Sequence, residues 1–372
     1  MRPTRLEVNL SHLKHNIESI RAHVAGAKVM PMVKANAYGH GIEGVAPFIE
    51  PYVDYFGVAL VEEAVELRQL GITKPILVAG GTLIEQLPLF IEHGLILTAS
   101  SLDLLTAANQ LAESTRTRLT VHLKIDTGME RVGVHEYEAE EFINQSIACR
   151  HLLVEGIYTH LANSETLDSG KNLIRKPSLV PASLQLERFF EVLRLYEKYS
   201  LPMPMRHVCN SGGILNLSQA HLDMVRPGVL FYGVYPGHDV QTDIHVKPAL
   251  TWKSKVAYSK VILPGRSVSY GSLWQAKEQT RIITVPCGYA DGYFRRMTNQ
   301  ARVIINGRSY PQVGRICMDQ FMVDVGEDDV KVGDEVTLLG GGIAAEELAA
   351  WTGTNEYEVL TNISARVPRI YI

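Results

Sequence analysis

The sequence predicts an α/β protein in which an N-terminal (β/α)8 barrel, a TIM barrel, precedes a C-terminal mainly-β domain. Up to about residue 232, eight short apolar runs alternate with longer amphipathic segments. Parallel neighbouring strands need helical crossovers, and eight such repeats close into a barrel. After residue 240, strand-like runs follow one another directly between Gly and Pro turn signals. We therefore assign residues 1–240 to the barrel and residues 241–372 to the β domain.

The predicted barrel strands are short apolar runs, many of them β-branched, that are bounded by turn residues. They are Val29–Val33, Tyr55–Ala59, Pro75–Val78, Leu95–Thr98, Leu119–Ile125, Leu153–Thr159, His207–Cys209 and Val229–Tyr232. Helical apolar spacing predicts helices between them, including Val61–Gln69 and Leu184–Lys198. An open doubly wound sheet is the main alternative. The count of eight strands favours the barrel.

The C-terminal part has a different pattern. Residues Tyr235–Pro248 lack periodicity and read as a linker. The predicted strands beyond it are Thr251–Leu263, Thr280–Val285, Ala301–Ile305, Met322–Val325, Glu335–Leu339 and Asn362–Ile372. One short helix is expected at Ala344–Trp351. This succession predicts an all-β domain that carries a single helix.

Composition narrows the class of protein and its surroundings. The 372 residues include 36 Lys and Arg and 40 Asp and Glu, a net charge of −4. A nucleic-acid binder usually has a basic surplus, so that class is disfavoured. There is no apolar stretch of 18 residues and no signal-peptide core, so we expect no membrane partner and a cytoplasmic location. The four cysteines form no CxxC pair, which favours reduced thiols.

The string that follows the first predicted strand is the most informative of the barrel. Lys34 comes directly after the apolar run, and Ala-Asn-Ala-Tyr-Gly-His-Gly follows it. Catalytic groups of barrels lie at the carboxyl ends of strands. An amine at that position can have a depressed pKa, which suits it to form a Schiff base. The alternative for an isolated lysine is a place at the rim of a surface loop.

Other predicted strand ends carry polar groups as well. These groups are Lys124 and Arg131 after the fifth strand, His160 after the sixth, Ser211 with Gly212 after the seventh, and Arg226 with Gly228 before the eighth. A serine hydroxyl and glycine amides could cradle a phosphate. Taken singly, His160 could be a core histidine and Ser211 a helix N-cap. Their coincidence at several strand ends favours one shared site.

In the β domain, three strings are dense in glycine, tyrosine and polar residues. They are Ser267–Gly271 with Tyr270, Gly288–Tyr293, and Val313–Gln320. A tyrosine acts as a base only where positive charge or hydrogen bonds lower its pKa from about 10. The alternative is that Tyr270 is a core or interface aromatic residue.

Together these strings resemble the bacterial alanine racemase family. They are VKANAYGHG, KIDTGMERVG, Asn210-Ser211, MVRPG, SVSYG, GYADGY, VGRICMDQ and ISARVPR, in register from Lys34 to Arg369. The resemblance implies pyridoxal 5′-phosphate as cofactor and the interconversion of L-alanine and D-alanine as the reaction, which supplies D-alanine for peptidoglycan. It also implies a head-to-tail homodimer with active sites shared between subunits.

The resemblance further implies a role for each matching residue. Lys34 is the Schiff-base lysine and one base, and Tyr270 is the opposite base, contributed by the partner subunit. The phosphate-binding positions are Tyr38, Ser211, Gly228 and Val229. The other implied roles are Arg226 at the pyridine nitrogen with His160 behind it, Arg131 and Met318 at the substrate carboxylate, Tyr289 at the entrance, and Lys124 as a carbamylated lysine. No metal is implied.

One position departs from the family pattern. The closing segment has Ala365 where many alanine racemases have a tyrosine that crowds the substrate methyl group. A wider pocket would admit serine, so an alanine and serine racemase is one alternative. A fold-type-III amino-acid decarboxylase is a second alternative, which Arg226 disfavours because those enzymes place a carboxylate at the pyridine nitrogen. A non-enzymatic cofactor carrier is a third alternative. The predicted β domain disfavours it, because such carriers lack that domain.

Overall fold

In the computed structural model, parallel strands and helices close into a barrel, and a largely antiparallel sheet forms a second unit. The structure describes residues 2–165, 180–237 and 239–372. The barrel unit comprises Leu13–Ala37 and Ile42–Lys247, and the β unit comprises Met1–His12, Tyr38–Gly41 and Pro248–Ile372. Within the described ranges, no helix is long and apolar enough to cross a membrane.

Within the described residues, eight parallel strands of the barrel sheet neighbour each other in chain order, and a further short strand, Val134–His135, pairs with the fifth of them. They are Lys28–Val29, Phe56–Val58, Ile76–Val78, Ile96–Ala99, Leu119–Asp126, Leu152–Tyr158, Met205–His207 and Met224–Val225. The first strand pairs with the last, and Met32 bridges to Gly57 of the second, which closes the sheet. The predicted barrel is confirmed.

Helices occupy the connections between these strands, because each parallel neighbour must be reached by a crossover. Up to residue 216 of the described chain they are Ile42–Ile49, Val61–Gln69, Leu87–Glu92, Leu102–Ser114, Ala139–Ala148, Ala182–Lys198 and Ser211–Asn216, and a further helix, Leu10–His23, precedes the first strand. The predicted helix at residues 61–69 has the predicted bounds, and the one at 184–198 begins two residues earlier.

The predicted eighth strand was placed wrongly. The run Val229–Tyr232 forms a 3-10 turn, and the strand is Met224–Val225 just before it. Pro227 has no N–H to give to a ladder, and the N–H groups of Gly228 and Leu230 donate to Oγ of Ser211. A completely buried apolar run fits a strand and a turn equally well by hydrophobicity alone.

The β unit contains a nine-stranded sheet. In spatial order its strands are Tyr258–Ile262, Thr280–Val285, Phe321–Asp324, Arg308–Val313, Arg302–Ile305, Glu335–Leu339, Leu250–Lys255, Arg5–Val8 and Arg369–Tyr371. A separate hairpin pairs Ser267–Val268 with Trp274–Gln275, and helices span Ala345–Thr352 and Glu356–Thr361. The predicted mainly-β character and the first of these helices are confirmed, whereas the prediction of a single helix is wrong because Glu356–Thr361 forms a second one.

Several details of the β unit differ from the prediction. The run 251–263 is two strands, and only residues 369–371 of the run 362–372 form a strand. Arg308–Val313 was missed because Pro311 weakens a strand pattern, although it pairs here opposite Arg302. The N-terminal strand Arg5–Val8 lies in this sheet, so the units are not continuous in sequence. A boundary between residues 240 and 241 stays a prediction.

Candidate active site

Lys34 stands at the carboxyl end of the first barrel segment, before a turn of unusual backbone. The N–H of Val33 still donates to the carbonyl of Gly57 (2.8 Å), as a strand residue would. Ala35, Asn36 and Ala37 then take φ angles of 52°, 54° and 51°, the left-handed helical region. Each such non-glycine residue costs about 1–2 kcal/mol, so other contacts must hold the turn.

Glu63, on the helix Val61–Gln69, supplies one of those contacts. Its Oε1 accepts the N–H of Ala35 at 2.6 Å, and its Oε2 accepts the N–H groups of Ala59 and Leu60 at 2.9 and 3.1 Å. A hydrogen bond to a charged acceptor is worth about 1.5–3 kcal/mol, so the bond to Ala35 offsets part of the cost of the turn. Glu63 therefore fixes the backbone directly after Lys34.

The surroundings of the Lys34 amine favour its neutral form. Burial lowers its pKa from the ordinary value, the positive charge of Arg131 lowers it further, and Glu63 acts in the opposite direction. A neutral amine can act both as a nucleophile and as a base, whereas an ammonium group cannot. The sequence-based expectation of a depressed lysine pKa at this strand end is thus supported by the surroundings of the side chain.

Arg226 is a buried cation whose terminal nitrogens are already engaged. One nitrogen donates to Nδ1 of His207 (2.8 Å), and the other donates to the carbonyls of Thr159 (2.8 Å) and Val208 (2.9 Å). Among the residues that the structure describes, none accepts a hydrogen bond from its Nε. Burial lowers the pKa of Arg226 to about 10, so the group stays protonated and donor-only at neutral pH.

His160 lies close enough to the other predicted basic residues of the barrel for their charges to lower its pKa. Its Nδ1 lies 3.4 Å from a terminal nitrogen of Arg226. Burial holds its pKa well below the ordinary value, and the charges of Arg226, Lys124, Arg131 and Lys34 add to that effect in this order. His160 is therefore neutral and can accept a hydrogen bond from the guanidinium group.

Lys124 lies in the barrel interior beside an aromatic ring. Its Nζ is 4.9 Å from the ring centroid of Tyr158, and Cζ of Arg226 lies 5.1 Å from the same centroid. Burial lowers the pKa of Lys124 far below its usual range, and Arg226 lowers it further. The hydroxyl of Tyr158 hydrogen-bonds Thr98 (2.8 Å), which fixes the ring beside the two basic groups.

Arg131 sits on a loop that one carboxylate organises. Oδ1 of Asp126 accepts the N–H groups of Gly128, Met129 and Glu130, and Oδ2 accepts that of Arg131 at 3.1 Å. Burial would raise the pKa of Asp126, but these four bonds outweigh it and the pKa falls. The loop is therefore held by an ionised carboxylate throughout the neutral range.

Ser211 and Gly228 meet at the carboxyl ends of the last two strands. Oγ of Ser211 accepts the N–H of Gly228 at 2.9 Å and that of Leu230 at 3.3 Å. A serine oxygen accepts twice and donates once, so its proton is left for another acceptor. A Cβ atom on Gly212 would lie 2.7 Å from the carbonyl oxygen of Ser164, so only glycine fits there. Val229 begins the buried turn beside this pair.

The β unit brings its three predicted residues onto neighbouring loops. The side chains of Tyr270, Tyr289 and Met318 are exposed by 69, 41 and 52%. The N–H of Tyr289 donates to the carbonyl of Cys317, and the hydroxyl of Ser269 donates to that of Arg315 (2.6 Å). These bonds tie the 269–272, 288–292 and 314–318 loops to one surface of the unit.

Two glycines of this surface lie where a Cβ atom would collide with a neighbouring carbonyl oxygen. A Cβ atom on Gly288 would lie 2.3 Å from the carbonyl oxygen of Met318, and one on Gly314 would lie 2.6 Å from that of Val268. Tyr38 also belongs to the β unit, where its ring centroid lies 6.1 Å from that of Tyr357. The predicted roles of all these residues stay predictions.

Sequence reasoning missed the residues that hold this site together. They are Glu63, Asp126, Tyr158, His122 and His207. One signal was available: His122 and Lys124 are two residues apart on one strand and so face the same side, the barrel interior. Polar residues at such positions interrupt the apolar layers of an ordinary barrel.

The likeness to known proteins covers the whole chain. The models of the alanine racemase N-terminal and C-terminal domains match residues 8–236 and 249–371. The alanine racemase of Carboxydothermus hydrogenoformans is 42% identical over 379 residues, covering 100% of both chains.

Solved structures of alanine racemases are also similar to this chain over its whole length. Alanine racemase of Clostridium difficile 630 has a TM-score of 0.91 and 36% identity, covering 100% of this chain and 96% of that one. Alanine racemase from Bartonella henselae, with covalently bound pyridoxal phosphate, has a TM-score of 0.89 and 28% identity, with 100% of both chains covered.

These matches place the chain among isomerases built on a barrel and a β domain. More specifically, the chain belongs to the alanine racemase family, and it is an enzyme that interconverts the enantiomers of alanine.

Proposed function

We propose that this racemase works with pyridoxal 5′-phosphate and two bases, Lys34 and Tyr270, in a cytoplasmic homodimer that supplies D-alanine for peptidoglycan. The observation that carries the proposal is the half-buried amine of Lys34, whose pKa burial and Arg131 lower. In the proposed dimer, Tyr270 is contributed by the partner subunit. Tyr270 is 69% exposed within its own chain, which leaves it accessible to the active site of a second chain.

The donors of the barrel unit fit this cofactor. Its aldehyde requires a neutral primary amine, its phosphate requires hydroxyl donors, and its ring nitrogen requires a partner that Nε of Arg226 can provide. Lys34, Arg226 and the hydroxyl of Ser211, whose oxygen accepts the N–H of Gly228, have those chemical properties. When bound, the cofactor withdraws electrons from the substrate Cα and so acidifies its proton.

The chain's own residues then move that proton. Racemisation removes a proton from one face of Cα and returns one to the other face, so each face needs its own base. Lys34 serves one face and Tyr270 serves the other, each acting as an acid in the reverse direction. Arg131 and the backbone at Met318 hold the substrate carboxylate, and Tyr289 lines the entrance.

Arg226 limits side reactions in this scheme, because a guanidinium group donates to the ring nitrogen and leaves it unprotonated. Replacing Arg226 with Glu is expected to raise the ratio of transamination to racemisation about tenfold, a change of ~1.4 kcal/mol between the two barriers. Pyruvate formed per alanine racemised measures the ratio. Arg226→Lys, which keeps a donor, is the control. An unchanged ratio in Arg226→Glu would refute this role.

We further propose that Lys124 is carbamylated. A neutral amine is the form that adds CO2, and burial keeps the pKa of Lys124 low enough to populate it. Carbamylation would turn the Lys124 side chain into an anion beside Arg131, and this anion would orient the guanidinium group of Arg131. Enzyme equilibrated with 13C-labelled bicarbonate is expected to give one protected carbamate NMR signal that Lys124→Gln lacks. The same signal in Lys124→Gln would assign it elsewhere.

Ala365 supports serine as a second substrate. It is exposed, and its neighbour Arg366 is anchored by Asp291 (2.9 Å) and Asp319 (2.7 Å), so the loop position is defined. The native chain is expected to racemise L-serine, and Ala365→Tyr is expected to raise the alanine-to-serine ratio of kcat/KM about tenfold. Ala365→Val is a control without the ring. Absence of serine turnover in both native and variant enzymes would remove the proposal.

One experiment separates the proposed function from its alternatives. The purified protein is loaded with pyridoxal phosphate and incubated with L-alanine or a basic amino acid in deuterated water. The proposal predicts D-alanine that carries deuterium at Cα. Release of CO2 from the basic amino acid would indicate a decarboxylase, and no reaction of either would indicate a carrier.

A further inference from the structure

Four polar side chains form a hydrogen-bonded series through the interior of the barrel unit. A terminal nitrogen of Arg226 lies 2.8 Å from Nδ1 of His207. Nε2 of His207 lies 2.9 Å from Nδ1 of His122, and Nε2 of His122 lies 3.1 Å from Oε2 of Glu155. Both histidines are completely buried, whereas the Glu155 side chain is 34% exposed. We call these four residues the barrel relay.

The two ends of the barrel relay fix its direction. A guanidinium group can only donate and a carboxylate can only accept. Nδ1 of His207 must therefore accept from Arg226, so its proton sits on Nε2 and is donated to Nδ1 of His122. By the same reasoning, His122 carries its proton on Nε2 and donates it to Glu155. No other pair of neutral tautomers makes all three bonds.

The packing around the histidines leaves little freedom to break this order. The ring of Tyr158 stacks on that of His207, with centroids 4.5 Å apart and planes 9° apart. A Cβ atom on Gly156 would lie 2.7 Å from Nδ1 of His122, so only glycine admits the His122 ring there. Burial lowers the pKa of both histidines, most strongly that of His207, which keeps them neutral.

Arg226 needs such an arrangement because it is a buried cation. In the part of the chain that the structure describes, no carboxylate forms an ion pair with it, and its direct acceptors are carbonyl oxygens and imidazole nitrogens. A buried charge without compensation is costly. The barrel relay connects the cation to Glu155, the carboxylate at its far end, through two polarisable rings.

We propose that Glu155 is a positioning residue for Arg226, acting through His122 and His207. It accepts the proton on Nε2 of His122, so the order that Arg226 imposes on the two histidines leaves neither N–H without a partner. Its importance for the reaction rests on the proposed function, in which Arg226 faces the cofactor nitrogen. The order of the protons along the barrel relay does not depend on that function.

The direct test is the tautomeric state of the two histidines in the native holoenzyme. Protein labelled with 15N-histidine is observed by NMR, and His122 and His207 are assigned by the signals lost in His122→Gln and His207→Gln. Both histidines are expected to carry hydrogen on Nε2 and none on Nδ1 at neutral pH. A proton on Nδ1 of either one would overturn the proposal, with or without racemase activity.

Variants of Glu155 separate its role as acceptor from its charge. Glu155→Gln retains an acceptor oxygen and is expected to keep both tautomers. Glu155→Leu removes the acceptor and leaves the buried Nε2–H of His122 without its partner, so the order of protons that serves Arg226 loses one hydrogen bond. The ratio of transamination to racemisation should then rise about fivefold. Glu66→Leu, at an exposed helix position, is the control for the loss of a carboxylate from the barrel unit. An unchanged ratio in Glu155→Leu would overturn the proposal.

Discussion

Replacing Lys34 with alanine is expected to lower kcat for alanine racemisation by ~10⁴-fold or more, because the proposed function makes this one residue both the attachment point of the cofactor and a base. Burial and Arg131 lower the pKa of this amine from its ordinary value, which increases the fraction of neutral amine. Racemisation of both enantiomers is measured by chiral chromatography. The visible absorbance of bound cofactor is followed in the same samples.

Two further measurements make the Lys34 result specific. An added alkylamine should restore part of the activity of Lys34→Ala, since a small free amine can enter the space of the missing side chain. Lys34→Arg keeps a positive charge but has no neutral amine, and it should be as inactive as Lys34→Ala. Substantial activity in Lys34→Arg would show that charge alone, and not an amine, is required at this position.

Replacing Tyr270 with phenylalanine has the second-largest expected effect, a loss of about 10³-fold in racemisation, within the range for removal of one acid-base group. The equilibrium constant between alanine enantiomers is one, so kcat/KM must fall equally in both directions. Exchange of the α-proton with deuterated water should behave differently. One enantiomer should still exchange through Lys34, while the other should not.

Tyr258→Phe is the matched control for this variant. Tyr258 is an exposed tyrosine, 56% accessible, on an edge strand of the same unit, and its loss should change racemisation less than twofold. Loss of exchange for both enantiomers of alanine in Tyr270→Phe would contradict the assignment, because it would mean that Lys34 cannot act alone on its own face. Retention of exchange for both would mean that Tyr270 is not a base.

The fold was predictable where hydrophobic pattern and turn chemistry agree. Val61–Gln69 has the predicted bounds because apolar spacing and flanking residues both favour a helix there. The strand Met224–Val225 was not predictable, because two residues carry no periodicity. The pairing of Arg5–Val8 between two C-terminal strands is a tertiary contact across more than 240 residues, which no local pattern encodes.

The candidate site was predictable residue by residue but not as an arrangement. Lys34, Ser211 and Arg226 stand at strand ends, where the position in a barrel indicates chemistry. Their supports were not predictable, since Glu63 reads as an ordinary helix residue and Glu155 as an outward strand residue. Only folding shows that Glu63 holds the turn after Lys34 and that Glu155 ends the barrel relay.

The origin of the proton returned to Cα tests the two-base account most directly. Each enantiomer of alanine is incubated with native enzyme in deuterated water, and the product enantiomer is analysed by mass spectrometry at low conversion. Two bases on opposite faces predict that nearly every product molecule carries deuterium in both directions. Product that retains the substrate's own proton would show that a single base serves both faces, and would contradict the roles given to Lys34 and Tyr270.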